Sequence, residues 1–407
     1  VVVGRDTQRK VSVVGAITNV DPAGIQAPAV SVSNMLGGRV PGIIAVTRSG
    51  EPGNNFSEFW IRGMSTFGAS SSALVLIDGI EGNINDLDPA DIESFSILKD
   101  ASATAVYGTR GANGVVVVTT KRGKAGKLHV NFKTNATYSY SPRMPEYADA
   151  YQYATLANEA RSVRGDDPVY SATELELFKT GLDPDLYPNV NWRDVILKDH
   201  VINNQHHLSI SGGGQSARYY MSLGILNSEA LFKQDKSASK HDVNVNYHKY
   251  NFRTNIDADL TKTTLLSLNL EAVIKTQNAP GTGSSNKYLW ESQANLPPTV
   301  VPVRYSNGQL PAYGTNLEDK SPYVRLNYMG YTTNETYSTK INVGLSQDLG
   351  IITEGLSVRG LFSFSMNGAH IVDRHMNPEQ YYADPKDGRY LDGSLKTVRT
   401  VNKEDMT

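Results

Sequence analysis

Several groups of residues in this chain are of types that do chemistry, and their spacing decides what each can do. His206-His207 sets two imidazoles side by side, but consecutive side chains on a strand point to opposite faces, which is poor geometry for a metal. The acidic series Asp78, Glu81, Asp86, Asp88 and Asp91 invites a calcium reading. Its spacing misses the alternate oxygen ligands around a central glycine that a calcium loop uses, so these side chains are expected to serve turns and N-caps. Gly281-Thr282-Gly283-Ser284 lacks the lysine and the strand-to-helix setting of a phosphate loop. Trp192, in Asn191-Trp192-Arg193-Asp194, either stacks on a sugar face or anchors a loop core, and the anchor is the simpler role. Nothing reads as nucleophilic or acid/base machinery, so no enzyme, no metal and no cofactor is expected.

The bulk properties narrow the function further. A net charge of −2 and a pI near 6.5 provide no basic stripe for nucleic acid. With no cysteine there are no disulfides or thiolate metal sites, and the compartment stays open. Mean hydropathy is −0.36, and no apolar run reaches the ~18 residues of a helical membrane span. That test is blind to barrel strands, in which only alternate residues face lipid. The aromatic balance, 22 Tyr to 10 Phe, suits strand ends at a membrane interface as well as sugar-binding β-proteins. No signal peptide opens the chain, which reads as trimmed at its strand-like start, Val1-Val2-Val3-Gly4.

Two kinds of element must position these residues. From Asp91 to Lys124 the pattern gives a short strand (94–98), a small-residue helical turn (101–107), a glycine-punctuated corner (Gly108, Gly111, Gly114) and the run Val115-Val116-Val117-Val118-Thr119-Thr120. That run does not alternate, so both its faces are expected to be buried. From residue 127 onward the period is two. Leu128, Val130, Phe132, Ala136, Tyr138 and Tyr140 alternate with polar residues, and the pattern returns at 250–260, 266–274, 341–345 and 358–366. Such stretches exceed an ordinary strand and approach the ~9 to 11 residues that cross a bilayer at a tilt. Short polar turns (212–217, 261–264, 350–355) alternate with long excursions (141–203, 226–249, 276–337), the rhythm of an outer-membrane barrel. About seven strands are expected, too few to close a barrel around a domain of this size.

The wording Leu98-Lys99-Asp100-Ala101-Ser102-Ala103, Tyr107-Gly108 and Gly111-Ala112-Asn113-Gly114-Val115 resembles the plug signature of TonB-dependent outer-membrane transporters, in their SusC/RagA-like branch. Leu36-Gly37-Gly38-Arg39-Val40-Pro41-Gly42, Ile61-Arg62-Gly63 and Ile77-Asp78-Gly79 match further landmarks of that plug. Val1 to Lys10 is similar to its opening, with Arg5 and Asp6 in place of Tyr and Gly. The resemblance implies a mixed α/β plug domain over residues 1–126 inside a large antiparallel transmembrane β-barrel of about 22 strands, begun by residues 127–407 and incomplete as given. It implies a bacterial outer-membrane protein that imports an oligosaccharide or oligopeptide with a SusD-like surface lipoprotein as lid and TonB as energy source. The alternatives are a siderophore or cobalamin importer and a glycan-binding surface protein without transport. By the same resemblance Arg62 and Arg110 are expected to pair with carboxylates of the barrel wall and hold the plug as a gate. Ser96 stands where relatives often carry Glu, so no gate pair is expected there. Glu51, Asn54, Asn55 and Phe67 are expected to face substrate. For Val1, Val2 and Val3 two readings stand: a TonB-proximal segment that adds as an edge strand to its partner, or the first strand of the plug.

Overall fold

In a computed structural model the described residues are 31–61, 63, 72–99, 104–141, 143–239, 241–281 and 287–407, with backbone alone at 2–3, 6–7, 17–20 and 287–288. The first strands are β1 (Val2–Val3), β2 (Asp6–Thr7), β3 (Ile17–Val20), β4 (Ile43–Thr47), β5 (Ser57–Ile61), β6 (Leu74–Ile77), β7 (Ile80–Glu81), β8 (Ile92–Leu98) and β9 (Val115–Thr120). Five of them form one sheet in the order β3-β8-β9-β6-β7, with β6 and β9 parallel and the other pairs antiparallel. The valine run is β9, the middle strand. Val116 and Val118 pack against Val32, Leu36, Phe95 and Ile97 on one face, while Val115 and Val117 meet Leu74, Leu76 and Leu98 on the other. All four valines are essentially inaccessible, which explains why the run does not alternate.

The helix Val32–Leu36 lies against this sheet, with the Ser31 side chain accepting from the Asn34 N–H as its N-cap. Gly37 ends it and Gly38 follows at φ +70, a conformation that strongly favours glycine. The helical turn expected at 101–107 falls partly outside the described residues. What is described, Ala105–Gly111, is a 3-10 helix interrupted at Gly108, whose φ of +58 and ψ of −141 no helix permits. β4 and β5 form a separate hairpin, and β1 pairs with β2 alone, apart from the five-stranded sheet.

Seven long strands follow in an open antiparallel sheet: β10 (Gly126–Tyr140), β11 (His200–Gly213), β12 (Ala217–Glu229), β13 (Asn246–Asp259), β14 (Thr264–Pro280), β17 (Gly330–Asp348) and β18 (Ser357–His375). Two-residue strands β15 (Ala312–Tyr313) and β16 (Asp319–Lys320) pair within the connection from β14 to β17. A last ladder, β19 (Gln380–Tyr382) with β20 (Val398–Val401), lies beyond β18. The register separates the faces. Tyr250↔Ile274, Phe252↔Ala272 and Ile256↔Leu268 share one face, and Lys249↔Lys275, Arg253↔Glu271 and Asn255↔Asn269 share the other. The apolar face points outward, with Phe132, Leu345, Phe362 and Phe364 among its exposed side chains. The sheet's other face receives the five-stranded unit. Among the described residues no helix is long and apolar enough to cross a membrane, which says nothing about strands of this kind.

The two ends of the long sheet differ. Connections at one end are 214–216, 260–263 and 349–356; at the other they are 141–199, 230–245 and 281–329. The long ones fold into helices, notably Ala150–Ser162, Ala172–Thr180, Trp192–Ile196 and Pro322–Asn327, with apolar clusters of their own.

Candidate functional site

The surface on which the first domain sits against the long sheet is where the chain gathers its buried charge. Four aspartates lie in or beside the connections of the first domain. Asp78 follows β6 at φ +49, with its carboxylate accepting from the Thr120 N–H (2.9 Å) and hydroxyl (2.6 Å). Asp86, Asp88 and Asp91 lie in two 3-10 turns just before β8, where Asp88 caps the second turn by accepting from the Ala90 N–H at 2.8 Å. All three are nearly inaccessible.

The wall answers them with donors from alternate positions. On β13, Lys249 donates to the carbonyls of Asn85 (2.7 Å) and Leu87 (3.3 Å). Two residues on, Asn251 donates to the Asp86 carbonyl, and after two more Arg253 lies between Asp78 (3.7 Å), Asp91 (4.0 Å) and the wall's own Glu271, which it contacts most closely. Asn255 donates to the Thr120 hydroxyl (2.9 Å) and the Lys121 carbonyl (2.7 Å). Asp257 accepts from Arg122 at 2.6 Å. On β11 and β12, His207 (2.8 Å) and the Tyr220 hydroxyl (2.8 Å) converge on the same oxygen of Asp91. On β14, Lys275 pairs with Asp86.

Burial, and next the charge of Asp91, push the Asp88 carboxyl above the usual range. Burial presses Asp91 the same way, but the hydrogen bond and charge of His207 and the charge of Arg253 outweigh it and hold its carboxyl low. The two neighbouring carboxylates of the seat are thus pushed in opposite directions.

The first domain spans the wall from end to end. At the short-turn end Arg122 is fixed by Asp257 and Asn269, and a Cβ at Gly123 would overlap the backbone of Tyr219. At the long-connection end Gln277 donates to the Pro52 carbonyl at 2.9 Å, and Phe56 meets Tyr247 edge-on with centroids 6.1 Å apart.

The structure redistributes the residues singled out from sequence. Arg110 is exposed and pairs with Glu81 of its own domain. Arg62, Phe67 and Val1 lie outside the described residues, and Val2–Val3 are described only as a strand. Asn54 donates to Glu51 at 3.1 Å on the exposed loop, and the Asn55 carbonyl accepts from Asn34 at 2.8 Å. His207 and His206 do face opposite ways: His206 stacks on Phe132 (6.4 Å) on the outer face. Trp192 is 2% exposed within an outer-loop cluster, and so is the anchor. Asn255 and Asn269, inward by their alternation, meet the first domain. The acidic series does more than cap. Its wall partners lie over 100 residues away in sequence, and the signal that marks them is the polar row Lys249, Asn251, Arg253, Asn255, Asp257.

Residues 9–115 match the family described as the TonB-dependent receptor plug domain. A TonB-dependent receptor of Formosa agariphila is 34% identical over 269 residues, 64% of this chain and 25% of that protein. The TonB-dependent receptor SusC of Bacteroides thetaiotaomicron is 31% identical over 246 residues, 57% of this chain and 23% of its own length. Among solved structures, that of the RagAB peptide importer in an open-open state superposes with a TM-score of 0.72, covering 93% of this chain and 44% of that one, at 22% identity. The last is a likeness of fold. This chain spans about a quarter of the length of the curated relatives it matches.

Proposed function

Because this chain is a TonB-dependent receptor of the SusC/RagA-like type, an outer-membrane β-barrel protein that carries a plug, we propose that it serves active import of a nutrient oligomer, an oligosaccharide or oligopeptide, across the outer membrane. The observation that carries the reading is the chemistry of the plug seat. An apolar interface of this extent would hold the plug permanently, since parting it exposes apolar area at ~25 cal/mol per Å². A seat made of ion pairs and hydrogen bonds behaves differently. Each group exchanges its protein partner for water, and a buried ion pair taken as a whole stands close to break-even against solvated ions. Asp78, Asp86, Asp91, Lys249, Arg253 and Lys275 therefore register the plug closely when seated, yet let water follow it when it is displaced.

The displacing work is assigned to TonB, acting through the segment around Val1, Val2 and Val3 by strand addition. The plug is taken to end near Gly126, where β10 begins. Glu51, Asn54, Asn55 and Phe67 are assigned to the substrate-facing side of the plug, and Arg62 to its contacts with the barrel. A SusD-like surface lipoprotein is assigned as the lid over the long loops. Deleting residues up to Val3, with any TonB box before them, is expected to abolish uptake of a labelled oligomer while substrate binding to purified receptor persists. Uptake at the undeleted rate would overturn energised gating.

A further inference from the structure

A cleft of about 540 Å³ opens among the outer loops, away from the plug seat. Its lining includes Tyr147, Asp149, Tyr153, Trp192, Gln293 and Asn295. The walls come from two long connections, tied together where the Val190 N–H donates to the Pro298 carbonyl at 3.2 Å. Two polar side chains in that lining have atoms with no hydrogen-bond partner although almost fully enclosed. They are the Trp192 Nε1, on a side chain 2% exposed, and the Gln293 Oε1, on one 9% exposed. An indole N–H and an amide carbonyl left unmatched in a folded interior each carry a desolvation cost, and such pairs are retained where something else supplies the partner.

We propose that this cleft is a binding subsite for a neutral saccharide. One donor and one acceptor are open, and a sugar hydroxyl can both accept from an N–H and donate to a carbonyl, so neighbouring hydroxyls on one ring answer both. Tyr147, 38% exposed at the rim, provides an aromatic face for the apolar side of a pyranose ring. Among the described residues no lysine or arginine lines the cleft, and the one carboxylate among them, Asp149, already accepts from the Gln152 N–H at 2.8 Å as a helix cap. With one carboxylate and no cation among its described lining residues, the cleft disfavours anionic ligands and free peptide carboxylates. The volume falls within the ~300 to 1,000 Å³ typical of small-molecule sites. The inference rests on the transporter reading only in that these loops then face the medium.

The test is calorimetric titration of the full receptor, purified in detergent, with maltohexaose, cellohexaose, xylohexaose and mannohexaose, and with an uncharged, end-capped Ala/Ser hexapeptide. At least one saccharide is expected to bind. Trp192→Phe keeps an aromatic ring but removes the indole donor, and Gln293→Met keeps the length but removes the amide. Each is expected to weaken that binding about tenfold, the scale of one lost hydrogen bond, with circular dichroism unchanged. Tyr147→Ala removes the aromatic face and, with it, the hydrogen bond that the Tyr147 hydroxyl accepts from the Gln293 Nε2 at 3.5 Å. No binding by any of the saccharides, binding unmoved in all three variants, or binding of the capped peptide alone would each overturn the proposal. Because binding is read on purified receptor, loss of uptake with binding intact would count against the import reading and leave the cleft assignment standing.

Discussion

Arg253 shows what a single residue does in the plug seat. It is the cation among Asp78, Asp91 and Glu271, all nearly inaccessible, so Arg253→Met leaves buried carboxylates without it. The expected cost is about 3 to 5 kcal/mol, seen as a lower urea midpoint for protease attack on the plug. Arg110→Ala is the contrast, because the Arg110–Glu81 pair is solvent-exposed and exposed pairs are worth about 0 to 1 kcal/mol. Asp88 gives a pH signature. Its carboxyl is raised by burial and by Asp91, so its contribution is fully present below the ordinary Asp range and is lost as pH rises through the raised value. Asp88→Asn retains an oxygen to cap the Ala90 N–H and removes the titration. The plug midpoint of the parent is expected to fall more steeply on going from acid toward neutral pH than that of Asp88→Asn, in which His207 and Asp91 still titrate; parallel curves would exclude Asp88 as the source. These roles were only half legible in sequence. Turn and cap duty follows from local spacing, whereas the pairing of Asp91 with His207 and Arg253 needs two strands that lie far along the chain.

At the scale of the element, β13 and β14 were easier to read, because alternation is a local property and survives without knowledge of partners. What their inward rows meet is not legible in the same way, since period two separates the faces but does not say what fills the lumen. The outward row predicts its own test. Leu268 lies mid-strand between Leu266 and Leu270, opposite Ile256 and Val343. Leu268→Arg is expected to cost about 2 to 4 kcal/mol in a bilayer refolding assay, the depth-dependent price of an arginine on the lipid face. Asn131→Arg, on the inward row of β10, is the control and is expected to be nearly neutral; equal effects would reverse the faces. The plug-to-barrel connection is a tighter element than glycine content alone would indicate. A methyl group at Gly123 meets the Tyr219 backbone, which cannot rotate away as a side chain can, so Gly123→Ala is expected to lower the yield of plug-seated receptor in a limited-proteolysis assay.

For the whole molecule, the strands outrun the membrane. β17 and β18 have 19 residues each and β14 has 17, against the ~9 to 11 that span a bilayer. Because the connections at one end are short, the surplus stands at the long-loop end and carries the loops clear of the lipid. Those loops are cross-linked into a common cap. Arg389 pairs with Asp183 (2.6 Å) and Asp185 (3.0 Å), Asp185 accepts from Ser306, and the Tyr323 hydroxyl donates to Asp235 at 2.6 Å. Hydrogen bonding from Ser237 and Tyr323 brings the Asp235 carboxyl down to about 2. A cap bound together this way is a platform rather than a set of mobile loops, and apolar side chains such as Val163, Leu182 and Leu391 are left exposed on it. A platform over a pore suits a lid, and a lid that must seal a cavity against water needs an obligate-sized interface of more than ~2,000 Å². Mild detergent extraction followed by size-exclusion chromatography is therefore expected to recover the receptor with a surface lipoprotein, and oligomer affinity is expected to fall when that partner is stripped away. A receptor that runs alone from native membranes, and binds its oligomer equally well alone, would show that the loops close the pore by themselves.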